Sequence, residues 1–310
     1  MVDWTRGRCV NHFLNIQQLT SDDVLALIKR ALHLKKETRH PQFEQRILAN
    51  LFYENSTRTR VSFELAAKRM GMIVINLDIA RSSESKGEEI RDTIKTLGSM
   101  GVDVAVIRHV DEGLPHTMAE CAPSHLHVIN AGDGAHAHPT QAMLDFMTIL
   151  EYKTNLRDLK IALVGNLKHS RVANSLQGMC QLLNVKCLKL VAPSVWLPSD
   201  PIYGEMTSSL KEGLEGADVI ITLRMQRERF LTTDCLNLAD YQRDYRITTA
   251  NLAFAKPDAI VMHPGPINRG IEIDSDVADG VQSCIWQQVQ NGVWIRMAII
   301  ERLLTIANKK

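Results

Sequence analysis

The chain has 310 residues, 45% of them hydrophobic and 23% charged, enough apolar material for a large core in one or two soluble globular domains. Lys and Arg number 36 against 35 Asp and Glu, a formal net charge of +1, so no global field draws the chain to nucleic acid or to an anionic membrane. Six scattered cysteines with no C-x-x-C pair argue against a thiol redox motif, a zinc ribbon or a disulfide scaffold; with no leader-like N-terminus and no apolar run near the ~18 residues of a spanning helix, a reduced, cytoplasmic setting is expected.

Short β-branched runs alternate with segments of helical period, the pattern of parallel sheets with crossover helices. In the first half the predicted strands are Ile47 to Tyr53, Met72 to Leu77, Val102 to Ile107 and His127 to Asn130. The predicted helices are Asp22 to Lys36 behind Ser21, Val61 to Arg69 closed by Gly71, and Glu88 to Leu97. A helix from Pro139 to about Tyr152 carries Met143, Leu144, Met147 and Leu150 on one side, and the domain junction is expected along it. The strand pattern then restarts with Lys160 to Val164, Cys187 to Val191, Val219 to Leu223 and Ala259 to Met262. In the last helix, about Trp286 to Ala307, residues Trp286, Val289, Val293, Met297, Ile300 and Leu304 recur at steps of three and four, which predicts a packing stripe.

The densest chemistry lies where the first strand meets its helix. Phe52-Tyr-Glu-Asn-Ser-Thr-Arg-Thr-Arg60 sets three hydroxyls (Ser56, Thr57, Thr59) and two guanidiniums (Arg58, Arg60) at a helix start. Backbone N–H groups without intrahelical partners already favour an anion there. Arg58 adds a planar, permanently charged fork suited to phosphate oxygens. A helix cap needs only one such side chain, so an anion site accounts for the cluster better than capping does.

Further groups fall where βα units open. The loop Arg81-Ser-Ser-Glu-Ser-Lys-Gly-Glu88 reads on its own as a solvated surface loop, and Arg108 ends an apolar strand, where open α/β sheets place ligands. Gly132 to Gln141 delivers His138 and Gln141 to a helix start with Pro139 at its first position. His125, His127, His136 and His138 raise a metal site, but no cysteine or acidic ligand pattern accompanies them, so no metal is expected and His138 reads as a hydrogen-bond donor. Gly165 alone does not make a G-x-G-x-x-G fingerprint and no P-loop occurs, so no nucleotide cofactor is expected. Arg171 stands at a helix start after Val164-Gly165; Arg224 and Gln226, two apart, share a side if extended; and His263-Pro-Gly-Pro266 forms a rigid turn with exposed carbonyls. A phosphate pocket with oxyanion donors and two guanidiniums suited to a dicarboxylate point to direct transfer between two bound substrates, driven by orientation and electrostatics.

Ser56-Thr-Arg-Thr-Arg60, Lys86-Gly-Glu88, His138-Pro-Thr-Gln141, Arg224-Met-Gln226, His263-Pro-Gly-Pro266 and Asn291-Gly-Val-Trp-Ile-Arg-Met-Ala298 stand in one order along the chain. In that order they resemble the aspartate and ornithine carbamoyltransferases over nearly the whole length. Lys86 in a Ser-Ser-x-x-Lys-Gly-Glu loop, and His263-Pro-Gly-Pro266 in place of His-Cys-Leu-Pro, look like the aspartate branch.

That resemblance implies transfer of the carbamoyl group of carbamoyl phosphate to the α-amino group of L-aspartate in pyrimidine synthesis, with no cofactor. Ser56, Thr57, Arg58 and Thr59 would hold the phosphate, with Ser82 and Lys86 of a neighbouring subunit in a homotrimer. Arg58, Thr59, Arg108 and His138 would polarise the carbonyl, and Gln141 with the carbonyls of Pro264 and Gly265 would hold the amino group. Arg171, Arg224 and Gln226 would orient aspartate, with Lys86 also serving that substrate. Association with a regulatory or dihydroorotase-type chain also enters by resemblance; Gly265, where the branch with regulatory chains tends to carry Leu, leaves regulatory-chain binding open. The expected fold is α/β, with two doubly wound parallel-sheet domains joined by helices: residues 1–141 for carbamoyl phosphate, 142–288 for aspartate, and 289–310 as a C-terminal helix packing back on the first domain.

Overall fold

The computed structural model describes residues 11–77, 89–225 and 237–307. These divide into two units, one running to Met147 and resuming at Gln290, the other spanning Thr148–Val289. Both crossings fall inside helices.

The first unit holds strands β1 (Ile47–Phe52), β2 (Ile73–Asn76), β3 (Val104–His109) and β4 (His127–Asp133) in the order β2-β1-β3-β4, every pair parallel. Helices α1 (Ser21–Lys36), α2 (Thr57–Arg69), α3 (Ile90–Ser99), α4 (Leu114–Cys121) and α5 (Pro139–Tyr152) complete it, together with most of the terminal helix. Leu48, Ala49, Leu51 and Val104 to Ile107 are fully buried, as central parallel strands covered on both faces require.

The second unit holds β5 (Lys160–Val164), β6 (Cys187–Val191), β7 (Glu205–Thr207), β8 (Val219–Thr222) and β9 (Ile260–Met262) in the order β7-β6-β5-β8-β9, again all parallel. Its helices are α6 (Arg171–Leu182), α7 (Leu210–Leu214), α8 (Leu238–Tyr245), α9 (Thr249–Leu252) and α10 (Ser275–Ala278); α11 (Ile285–Ala307) starts here and continues into the first unit.

Each sheet reverses its strand order once. In the first the chain leaves β1 for β2 on one side and returns to β3 on the other; in the second it goes from β5 to β6 and β7 on one side and returns to β8 and β9 on the other. The crevice beyond the carboxyl ends of β1 and β3, and of β5 and β8, is where open α/β sheets bind ligands.

The opposite ends are fastened by one device used twice. Asp103, just before β3, accepts from the Ile47 N–H at 2.8 Å and from Arg46 Nη1 at 2.6 Å. Asp218, just before β8, accepts from the Lys160 N–H at 2.9 Å and from Lys256 Nζ at 2.7 Å. In both sheets a carboxylate ties a strand start to its neighbour.

Several boundaries differ from the sequence expectation. The cap of α1 is Thr20, not Ser21, because Asp23 lies three residues on and closes a capping box with it. Helix α2 starts at Thr57, four residues before Val61: its hydroxyls and Arg58 look loop-like in sequence, yet a first turn has no intrahelical N–H bonds to lose. β3 runs through His109, so Arg108 lies inside the strand. β7 has no counterpart among the predicted strands, being a three-residue edge element with two exposed positions.

The stripe on α11 is only partly a packing face. Met297, Ile300 and Leu304 are buried, whereas Trp286 is 64% and Val289 42% exposed. The later part of α11 is pinned to α1 by charge: Arg302 Nη2 meets Asp23 Oδ1 at 2.6 Å, both nearly buried, and Arg30 Nε meets Glu301 Oε2 at 2.7 Å.

Candidate active site

In the first unit, β1 runs through Tyr53–Asn55 into the first turn of α2. Ser56 occupies the N-cap position but makes no side-chain capping bond, and no acidic residue lies in the first turn. The hydroxyl is therefore not spent on closing the helix. Thr57 and Arg58 are exposed beside it, and Thr59 is buried, its carbonyl accepting from Ser62 Oγ at 2.8 Å. A helix start with an uncommitted cap hydroxyl, a second hydroxyl and a guanidinium is an anion-binding arrangement.

Arg108 stands directly across the register from Phe52, one residue before the end of the adjoining strand. Its Nη1 donates to the Ala131 carbonyl at 3.4 Å and its Nε lies 3.2 Å from Glu54 Oε2, with only 13% of the side chain exposed. The guanidinium is thus brought to the same switch point as Ser56–Thr59 by strand pairing.

The loop after β4 is organised by one buried carboxylate. Asp133 accepts from the Gly113 N–H at 2.8 Å, His136 Nδ1 at 2.9 Å, Asn130 Nδ2 at 2.8 Å and the Ala137 N–H at 3.1 Å. Burial works to raise its pKa, but these donors prevail and hold it below the usual carboxylate value, while Asp133 in turn lifts that of His136. This holds the segment that delivers His138 and Gln141, 4% and 7% exposed, to the start of α5.

Three further histidines of this unit bond to backbone groups. His127 Nδ1 donates to the Asn11 carbonyl at 2.6 Å, His125 Nε2 to the Gly98 carbonyl at 3.0 Å, and the Val128 N–H donates to His12 Nδ1 at 3.0 Å.

In the second unit, β5 is followed by Gly165, whose φ of +131° suits glycine. α6 opens with Ser170 as cap, its hydroxyl accepting from the Ala173 N–H, so that Arg171 is the first helical residue and 4% exposed. Arg224 follows β8, the strand paired with β5. Both guanidiniums named from the sequence therefore flank the switch point of this sheet.

The turn after β9 is held by a network the sequence did not suggest. His263 Nε2 donates to Glu272 Oε1 at 3.0 Å, His263 Nδ1 accepts the Gly265 N–H at 2.8 Å, and the His263 N–H donates to Gln288 Oε1 at 2.9 Å. Glu272 Oε1 also takes the Asn268 N–H at 2.6 Å. With its N–H bonded inward and φ at +72°, Gly265 has its place in the turn fixed, as does Pro264 before it.

Ser82, Lys86 and Gln226 lie outside the described residues. Residues that sequence reasoning missed are Glu54, Glu272, Gln288 and Asp145, the last accepting from Gln141 Nε2 at 2.9 Å. The signal for Asp145 was its i+4 spacing from Gln141 on one helix.

A family model described as "Aspartate/ornithine carbamoyltransferase, carbamoyl-P binding domain" matches residues 11–151, and one described as "Aspartate/ornithine carbamoyltransferase, Asp/Orn binding domain" matches residues 157–303. The chain belongs to the aspartate/ornithine carbamoyltransferase family. It is 56% identical over 295 residues to an aspartate carbamoyltransferase catalytic subunit of Legionella pneumophila (strain Corby), covering 95% of this chain and 99% of that one. Among solved structures, aspartate transcarbamoylase of Trypanosoma cruzi in complex with carbamoyl aspartate and phosphate superposes with a TM-score of 0.84 at 32% identity, covering 93% of this chain and 94% of that one. Ornithine carbamoyltransferase of Thermus thermophilus superposes with a TM-score of 0.85 at 25% identity over 95% and 99% of the two chains.

Proposed function

We propose that this chain transfers the carbamoyl group of carbamoyl phosphate to the α-amino group of L-aspartate, giving N-carbamoyl-L-aspartate and phosphate in pyrimidine synthesis. The observation that carries the reading is the uncapped, cation-bearing start of α2 at the switch point of the first sheet. The Legionella pneumophila relative and the Trypanosoma cruzi complex support aspartate as the acceptor.

Each residue has a physical task. Ser56, Thr57, Arg58 and Thr59, with Ser82 and Lys86 of a neighbouring copy, bind the phosphate. Arg58, Thr59, Arg108 and His138 surround the carbonyl oxygen, while Gln141 and the carbonyls of Pro264 and Gly265 take the N–H bonds of the carbamoyl group. Arg171, Arg224 and Gln226, with Lys86, orient aspartate. Its neutral amine attacks the carbonyl carbon to form the C–N bond, negative charge gathers on the oxygen, and the carbonyl re-forms as the C–O bond to phosphate breaks, the departing phosphate taking the proton from nitrogen. Donors fixed around that oxygen before reaction need no rearrangement as charge develops, and each is worth about 2.7–4 kcal/mol.

A homotrimer in the cytoplasm accompanies this reading. Supporting the assembly, the edge strand β2 exposes Ile73 and Ile75, and α2 exposes Val61 and Leu65. No helix among the described residues is long and apolar enough to cross a membrane.

Purified protein is supplied with carbamoyl phosphate and either L-aspartate or L-ornithine, and phosphate release is followed. Release with aspartate alone is expected. Release with ornithine alone would transfer the chain to the other branch.

A further inference from the structure

The amide of Gln141 has a fixed sense. Its Nε2 donates to Asp145 Oδ1 at 2.9 Å, one turn along α5, and Asp145 is fully buried. With the NH2 end of the amide bonded to Asp145, Oε1, which can only accept, faces away from it.

Close by is Arg296 of α11, 3% exposed. Its Nη1 donates to the Gly292 carbonyl at 3.1 Å and its Nη2 to Thr140 Oγ1 at 3.3 Å, while its guanidinium lies 4.8 Å from the centre of the Phe63 ring. Burial pushes this guanidinium down to about 9; the charge of Asp145 acts upward and that of Arg108 downward. It stays protonated at neutral pH, setting a cation near a buried acid. Gly292 leaves the room for it, since a Cβ there would come within 2.6 Å of Nη1.

We propose that Asp145, backed by Arg296, is a positioning residue that makes Gln141 an acceptor only toward the ligand, so that the site selects an acyl phosphate bearing an NH2 group over one bearing a methyl. This rests on the reading that Gln141 takes the carbamoyl N–H. An acceptor locked in place loses its partner when the ligand offers a methyl, whereas an amide free to turn is indifferent.

The test uses the full-length protein, carbamoyl phosphate as substrate, and acetyl phosphate, its methyl isostere, as competing ligand, with inorganic phosphate reporting the phosphate subsite. In Asp145→Asn, the new amide can donate to Gln141 and let it turn over. The preference, taken as the Ki of acetyl phosphate over the KM of carbamoyl phosphate, is expected to fall about 10- to 100-fold, with the Ki of inorganic phosphate within about twofold. Arg296→Lys is expected to shift the preference the same way by a smaller factor, and serves if the first variant fails to fold. An unchanged preference in the folded variant overturns the proposal. Gln141→Ala separates the two levels. If it too leaves the preference unchanged, the underlying role of Gln141 is wrong; if it abolishes the preference while Asp145→Asn and Arg296→Lys do not, only the positioning claim fails.

Discussion

Gly165 and Leu223 stand so close at the ends of β5 and β8 that a Cβ on Gly165 would lie 3.1 Å from both the Cβ and the carbonyl oxygen of Leu223. The chain on one side leads to Arg171 and on the other to Arg224. Gly165→Ala adds this crowding to the strain of φ +131°, so a loss of about 1–3 kcal/mol in stability is expected. The KM for aspartate should rise about tenfold while that for carbamoyl phosphate moves little. Urea unfolding and initial-rate kinetics check both halves.

Arg171 is buried at the first position of α6. A lysine there keeps the charge but loses the planar fork that meets a carboxylate with two bonds. Arg171→Lys is expected to raise the KM for aspartate by about 10- to 100-fold, the loss of one charged hydrogen bond of about 1.5–3 kcal/mol, with the melting temperature little changed. A KM within twofold of the parent would remove Arg171 from the aspartate site.

The Arg302 and Asp23 pair is a stability element away from the site residues. Arg302→Ala leaves a buried carboxylate without its cation, a change that typically costs about 3–5 kcal/mol. The lower end is expected, because Thr20 also donates to Asp23 through its backbone N–H at 3.0 Å and its hydroxyl at 2.8 Å. A lower urea midpoint with unaltered KM values in the folded fraction is the outcome to look for.

Two histidines give opposite pH dependences. The bond to Asp133 raises His136, so its contribution is full below the ordinary value of 6.5 and fades as pH rises through the lifted one. His136→Asn should therefore lose most stability in acid and little at high pH. Burial, aided by His127, pushes His12 down to about 4. Between 6.5 and about 4 the unfolded chain binds a proton there that the folded chain refuses, and stability falls with pH. His12→Asn, which can still accept from the Val128 N–H, should flatten that fall. Urea midpoints measured across this range for both variants test the two signs.

Much of this was legible before any coordinates. Strands β5 and β6 and helix α5 match the sequence reading residue for residue, because short apolar runs and a Pro139 start are strong local signals. The placements of Arg108 near a strand end and of His138 and Arg171 at helix starts were also readable, because polar groups follow apolar runs or stand at Pro- and Ser-marked helix starts. What could not be read were pairings set by tertiary contact. Asp145 looks like one polar residue on an apolar helix, and Glu272 lies nine residues beyond the His263 it holds. Arg296 gains its task only through α11 packing that brings its guanidinium to Thr140, a contact 156 residues apart in the chain. The strand order, and hence the two switch points, is likewise a long-range property.

The paired staples at Asp103 and Asp218 bind the rims where strands begin, while Arg108, Gly165 and Arg224 lie at or just past the rims where strands end. A substitution at the far rim therefore leaves the two carboxylate staples untouched, and the fastening of each sheet does not depend on the groups proposed to meet substrate.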